Sequence, residues 1–351
     1  MRLLHLIPAL DHDGPARDLL HLVRSLPHGE FTTTVACLGG DVQPLDGVDC
    51  LSLGDGRRFD PRPLLELRRL CRQVQPDVIH VWQPAALRAL RLAGVTTAPV
   101  VCSAAVAPLP STFDRWLLRG IDRVVVHTQR EAERCRRLGL ADEQIAVLPV
   151  PVVAAEPAPR RARPTIACLG RLERSAGFFD APWAFDILQF IHPETDLLIV
   201  GDGPDRVRLE QFTARAQSAP HVYFRNACAD GPALIAAADV VWALDPYESG
   251  LAAGMTALAA ARPVVTAAGS ALAELIVPDV SALTYRPGEP AELGRQTRLL
   301  LDDAVLTARV SAAGLAVAQQ FPGAELVRQA ALLYQGLRDA GRRRQSSRVG
   351  A

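Results

Sequence analysis

The sequence contains no lysine: all 38 of its basic residues are arginine. They are matched by 38 acidic residues, so the formal net charge is zero. That balance excludes a polyanion such as a nucleic acid captured by global charge, and it leaves room for a local anion site. Paired cysteines are lacking too. The seven cysteines, at 37, 50, 71, 102, 135, 168 and 228, are odd in number, scattered and never spaced C-x-x-C. Several lie in apolar runs ("VACLG", "VVCSA", "IACLG"), which reads as buried reduced thiols in a cytoplasmic protein. The eight histidines are dispersed, so no zinc-type ligand cluster is written in the chain. No stretch approaches the roughly 20 apolar residues of a membrane span. The opening "MRLLHLIPALDHDG" lacks a small-residue cleavage site and reads as a first strand. An Asp-x-Asp on a strand-end loop, which would hold a divalent metal beneath a diphosphate, is missing as well. Asp302 and Asp303 fall in a helical acidic stretch, so neither a metal nor a resident cofactor is expected.

What the chain does have is length and alternation. Its 351 residues, 49% of them hydrophobic, suffice for two cores of ordinary size. Short apolar runs alternate with segments of helical spacing. "RLLHLIP", "TTTVACL", "DVIHVW", "PVVCSA", "DRVVVHT" and "IAVLPV" read as strands. "ARDLLHLVRSL", "LLELRRLCRQV", "ALRALRLAG", "FDRWLLRG" and "REAERCRRLG" read as helices. After "PVVAAEPAPRRARP" the pattern resumes with strands at "TIACLG", "DLLIVG", "VYF", "DVVWAL" and "PVVTA". This predicts an α/β protein of two Rossmann-like doubly wound domains facing across a cleft. The expected division is 1–150, a linker at 151–164, a second domain at 165–322, a C-terminal helix at 323–340 packing back on the first domain, and a disordered tail at 341–351. Ligands of such folds bind at the carboxyl ends of the strands, where helix N-termini present free N–H groups.

Four stretches stand in one order: "GRLERSAG" (170–177), "LLIVGDGPDRVRLE" (197–210), "AADVVWALDPYESG" (237–250) and "AAARPVVTA" (259–267). With "LLHLIPALDHDGPARDLLHLVRSL" and "QPDVIHVWQP" ahead of them, they resemble glycosyltransferase family 4 (group 1), enzymes of GT-B fold that use nucleotide sugars. The resemblance spans nearly the whole chain. It implies sugar transfer from a nucleotide-sugar donor to a glycan or lipid-linked glycan acceptor, with retention of configuration and without a metal. Arg171 and Glu248 are the catalytic candidates it points to. Arg171, at a strand end, has a fork suited to phosphate oxygens; the plainer reading is a surface arginine paired with Glu173. Glu248 would meet donor-sugar hydroxyls, and the helix start at Ser249, Gly250 and Leu251 would cradle phosphate. Gly14 would form the first-domain loop, with Asp13 beside it. His80, Trp82 and Gln83 are the acceptor-side candidates.

Three positions depart from the family pattern. Ala176 stands where the resemblance implies a lysine, Thr256 where it implies a ribose-binding glutamate, and Ala105 where it implies a histidine. Arg174 and Arg57–Arg58 are the cations that could substitute for the lysine. The departures sustain a second reading, a catalytically lapsed GT-B scaffold that binds or regulates. "GDGPDR" (201–206) resembles a phosphate loop but reads as a turn before a helix. The arginine-rich segments around 115–137 read as a solvated face, with peripheral contact to the inner face of a membrane left open.

Overall fold

In the computed structural model, residues 1–10, 14–40, 48–54, 61–103, 116–150, 152, 159, 162–228 and 230–349 are described, with the backbone alone for 248, 342 and 344–349. Asp13, Arg57, Arg58, Ala105, most of the expected linker and the start of the expected "FDRWLLRG" helix lie outside the described residues. Two compact units emerge. One takes in residues 1–10, 15–149 and 324–351; the other is chiefly Val150–Gly323.

The first unit runs β1 (Arg2–Ile7), α1 (Gly14–Ser25), β2 (Thr32–Cys37), β3 (Asp49–Ser52), α2 (Arg62–Val74), β4 (Val78–Trp82), α3 (Gln83–Leu92), β5 (Val100–Ser103), β6 (Arg123–Val126), α4 (Gln129–Arg137) and β7 (Ile145–Val147). Its seven strands lie in the order β3-β2-β1-β4-β5-β6-β7, all neighbours parallel. The central strand β4 is buried at every residue, which is why "VIHVW" reads as an unbroken apolar run. Period 2 divides the core. Leu4 and Leu6 pack on one face with Ile79 and Val81, while Leu3 and Ile7 pack on the other with Val78 and Trp82. α4 begins in a capping box: Thr128 Oγ1 accepts from the Glu131 amide, and Glu131 returns a carboxylate oxygen to the Thr128 amide. The helix ends at Gly139, whose φ of 93° suits a left-handed stop.

The second unit runs β8 (Thr165–Leu169), α5 (Asp180–Gln189), β9 (Asp196–Val200), α6 (Arg206–Thr213), β10 (Val222–Arg225), α7 (Gly231–Ala237), β11 (Val240–Ala243), α8 (Glu248–Ala259), β12 (Val264–Ala267), α9 (Ala271–Leu275), β13 (Leu283–Tyr285), α10 (Pro290–Asp302) and α11 (Ala304–Ala318). The six parallel strands lie β10-β9-β8-β11-β12-β13, the winding of the first unit less one strand. Ile166 and Cys168 join one core layer and Ala167 the other, as Leu197 and Ile199 oppose Leu198 and Val200.

The last helix, α12 (Gly323–Val349), belongs with the first unit. Leu326, Val327, Ala330, Tyr334 and Leu337 complete the layer built by β1, β4 and α1. The chain therefore stays helical through Val349, where a disordered tail was expected from 341; the polar composition of "RRRQSSRVG" does not break a helix already propagating from a packed stem. β3, β13, α9 and α11 are further elements that the periodic reading did not separate. All seven cysteines are free. No helix among the described residues is long and apolar enough to cross a membrane.

Candidate functional site

In the second unit the strand order reverses beside β8. The chain moves from β8 out through β9 to β10, then returns to lay β11 on the other side of β8. Such a switch point leaves a crevice at the carboxyl ends of the two strands, because the following segments diverge. Here those segments are Gly170–Gly177 after β8 and Leu244–Tyr247 leading into α8.

They are brought together by small residues. A Cβ on Gly170 would stand 3.1 Å from the Phe178 ring and 3.4 Å from Ser249 Cβ. A Cβ on Gly250 would fall 1.9 Å from the Asp245 carbonyl oxygen, so only glycine lets α8 start so close to the preceding turn. Gly177, at φ 74°, lies against the Leu244 carbonyl.

The loop after β8 is held from its other side by "GDGPD". The Leu172 amide donates to the Asp202 carbonyl at 2.9 Å, the Asp205 amide donates to the Leu172 carbonyl at 3.1 Å, and the Arg174 amide donates to Asp205 Oδ2 at 2.9 Å. Gly201 and Gly203 leave no room for a Cβ, which would strike the carbonyls of Gly170 and Leu172. This glycine turn is thus a mould for the Arg171 loop. The sequence signal for that role was present in its two glycines and was read only as a turn.

Arg171 leaves β8 with its side chain about half exposed, and its Nε lies 3.5 Å from Glu173 Oε2. The pairing with Glu173 is therefore real, and it holds the guanidinium beside the switch point in a solvent-reachable position. The start of α8 opposite has no side-chain cap. Its first-turn N–H groups and the positive end of its dipole favour an anion there. The side chain of Glu248 lies outside what is described. Ser249 is 8% exposed and Leu251 is part of the apolar core.

Asp245 is the residue the sequence reading passed over. It is 6% exposed, and its Oδ1 accepts from the Tyr247 amide at 2.9 Å. Burial pushes its carboxyl up to about 6, opposed by the Tyr247 N–H, with Glu173 adding to the rise and Ser249 offsetting part of it.

Two expected contacts are not made as the resemblance implies. Ala176 is 1% exposed and packs in the core with Leu172 and Phe178. Thr256 is 2% exposed, and its hydroxyl donates to the Ala252 carbonyl one turn back along α8 at 2.8 Å.

The acceptor-side candidates of the first unit also land differently. His80 and Trp82 are 3% and 4% exposed, so neither is presented to an acceptor. His80 Nδ1 lies 2.6 Å from the Tyr334 hydroxyl and Nε2 lies 2.9 Å from Ser103 Oγ. Trp82 stacks on the His80 ring at 4.4 Å and donates its indole N–H to His5 Nδ1 at 3.1 Å. The reason is registry: His5 and His80 are direct cross-strand partners whose side chains point to the face that α1 and α12 cover. Burial holds the His5 imidazole down at about 3 and lowers His80 as well, with His5 contributing. Asp18, from α1, is buried beside them; burial raises its pKa, partly countered by Arg17, His127 and His21. Gln83 is half-buried and starts α3 with φ 73°, a region costly for a non-glycine residue. Gly14 is the first residue of α1. Among the described residues, no three His, Cys, Asp or Glu side chains are grouped to hold a metal ion.

Comparison with known proteins bears on both units. Residues 12–156 match the family model described as Glycosyltransferase Family 4, and residues 163–303 match Glycosyl transferases group 1. A curated relative, 2-deoxystreptamine glucosyltransferase from Streptomyces kanamyceticus, is 28% identical over 278 residues, covering 68% of this chain and 72% of that protein. HepE from Anabaena, solved in complex with UDP-glucose, superposes with a TM-score of 0.80 at 19% identity, over 96% of this chain and 100% of its own. Sucrose-phosphate synthase from Thermosynechococcus elongatus gives 0.77 at 16% identity over 97% and 100%. WaaG, a glycosyltransferase involved in lipopolysaccharide biosynthesis, gives 0.77 at 14% identity over 96% and 100%. The fold of the chain is GT-B.

Proposed function

We propose that this chain, which belongs to the family 4 (group 1) glycosyltransferases, moves a sugar from a nucleotide-diphosphate donor to the hydroxyl of a glycan or lipid-linked glycan with retention of configuration. The observation that carries this reading is that Gly170, next to the half-exposed Arg171, lies against Ser249 in the uncapped first turn of α8 at the β8–β11 switch point. A departing diphosphate gains charge as its bond to the sugar breaks. A cation and preorganised N–H groups fixed there stabilise the transition state more than the ground state. On this reading the anomeric C–O bond to phosphate breaks while the acceptor oxygen bonds to the same face. The acceptor's proton leaves on the phosphate oxygen. Glu248 would hold donor hydroxyls, and Ser249 and Gly250 would offer amides to phosphate, whereas the Leu251 amide is already donated to the Tyr247 carbonyl at 3.0 Å. The glucosyltransferase relative and the UDP-glucose complex of HepE make UDP-glucose the first donor to try.

A second reading, a noncatalytic GT-B scaffold, draws on Ala176 and Thr256. One is a methyl group in the core and the other a hydroxyl bonded within its own helix. Calorimetric titration with UDP-glucose and other nucleotide sugars, followed by an assay for released nucleotide, separates the two. A donor present at about 100 times its Kd should raise stability by about 2.7 kcal/mol. Binding with nucleotide release supports transfer, whereas binding without release under any acceptor supports the scaffold. If no nucleotide or nucleotide sugar binds, the switch-point site itself is refuted.

A further inference from the structure

α5 has two apolar stripes where one suffices. Ala181, Ala184, Phe185 and Leu188 are buried against the sheet layer. Trp183 and Ile187, on the opposite side, with Phe190 at the helix's C-cap and Ile191 just beyond it, are 55%, 41%, 76% and 47% exposed. A helix that is apolar all round is ordinarily covered all round. The neighbouring surface continues the feature. The Phe212 ring of α6 lies 5.7 Å from Trp183 and 5.9 Å from Phe179. Pro182, Trp183, Asp186, Phe212, Arg215 and Ala216 line a cavity of about 190 Å³ beside the stripe.

We propose that this face is the two-fold interface of a dimer of this chain. Self-complementarity is built into its spacing. A dyad passing at Ile187 sets two antiparallel copies of α5 together, and Trp183 lies one turn to one side while Phe190 and Ile191 lie one turn to the other. Each Trp183 then meets the partner's Phe190 and Ile191, and Ile187 meets its own copy, the reciprocal pairing an isologous contact requires. The area is also right. The four exposed side chains offer roughly 400–450 Å² of apolar surface at the usual size of such residues. The smallest standard interfaces bury about 600 Å² per partner, and homodimer interfaces are about 65% apolar, so about 400 Å² is needed. The rim carries both signs: Arg208 is set over the Phe179 ring, and Arg215 and Asp186 line the same cavity. Mixed charge pairs with itself across a dyad; an anionic bilayer would select an excess of arginine instead.

Sedimentation equilibrium of the full chain tests this. The wild type is expected at twice 37.8 kDa at micromolar concentration. Phe190→Glu should weaken association at least about 30-fold, with unchanged circular dichroism because the residue makes little of the core. Ile191→Lys provides a second variant of the same kind. Ile187→Cys should give a covalent dimer on mild oxidation, since only a dyad residue faces its own copy, whereas Trp183→Cys should not. A wild-type mass of 37.8 kDa at 100 times that concentration, or a dimer untouched by both charge variants, overturns the proposal. So does co-sedimentation of the monomer with phosphatidylserine vesicles that Phe190→Glu abolishes, which would make the face a lipid contact.

Discussion

The two units wind their sheets in the same order, yet their central strands carry different kinds of side chain. In the first unit one face of the central strands is filled by ring-bearing side chains, His5, His80 and Trp82, beneath Tyr334 of the last helix. In the second the ends of β8 and β11 carry glycines, an exposed arginine and an uncapped helix start. The same winding thus carries a ring-filled sheet face in one unit and a glycine-lined strand end with an exposed cation in the other. The difference also separates chemistry from stability: the first unit holds buried neutral imidazoles, the second a buried acid with a raised pKa.

The sharpest way to break this contrast is to remove Arg171. Arg171→Ala should lower donor turnover about 10²–10³-fold, some 3–4 kcal/mol of barrier, while leaving the melting temperature unchanged, since its side chain is about half exposed. Retained turnover would show that the open edge is not where the leaving group is stabilised. Next in size is Asp245→Asn. Because the folded state holds the Asp245 proton up to about 6, above an ordinary carboxylate, stability falls as pH rises from about 4 to 6 and the penalty is complete above 6. The amide should therefore stabilise the protein by up to about 3 kcal/mol at pH 8 and by little at pH 4, read by urea unfolding at both values. A gain of equal size at both would refute the ionisation argument.

The first unit should respond to acid in the other direction. The unfolded chain takes a proton on His5 near 6.5 that the folded one refuses until about 3. Between pH 6.5 and 4.5 that imidazole alone should cost about 2.7 kcal/mol. Hydrogen exchange by mass spectrometry should show amides of β1 and β4 losing protection over this range while those of β8 and β11 do not. The smallest effect expected is for Tyr334→Phe, which leaves a buried nitrogen of His80 without its partner. It should cost about 1–2 kcal/mol in the first unit, with donor affinity in the second unaltered.

How far the chain could be read in advance follows the same division. Strands buried on both faces, such as Val78–Trp82 and Asp196–Val200, are continuous apolar runs and were legible. β3, a short exposed edge strand, has no such run. α11 is built on alanine and glycine with apolar residues spread around its circumference, so no stripe announces it. At the site, Arg171 and the helix after Glu248 could be picked out because they follow strands. The role of Asp205 could not, because its carboxylate and amide support a loop over 30 residues away, a partner that no local pattern encodes. The burial of His80 was not legible for a related reason. That its ring nitrogens are taken by Tyr334, 254 residues on, and by Ser103 is a fact of tertiary structure.

That last distance has a consequence for how the molecule comes into being. All but four residues of the second unit form one stretch, Val150–Gly323, whereas the first lacks its final helix until residues 324–351 are made. During synthesis the later-encoded half can therefore finish folding first. The earlier one waits with Leu3, Ile7, Val78 and Trp82 partly uncovered, dependent on a chaperone or on speed to escape aggregation.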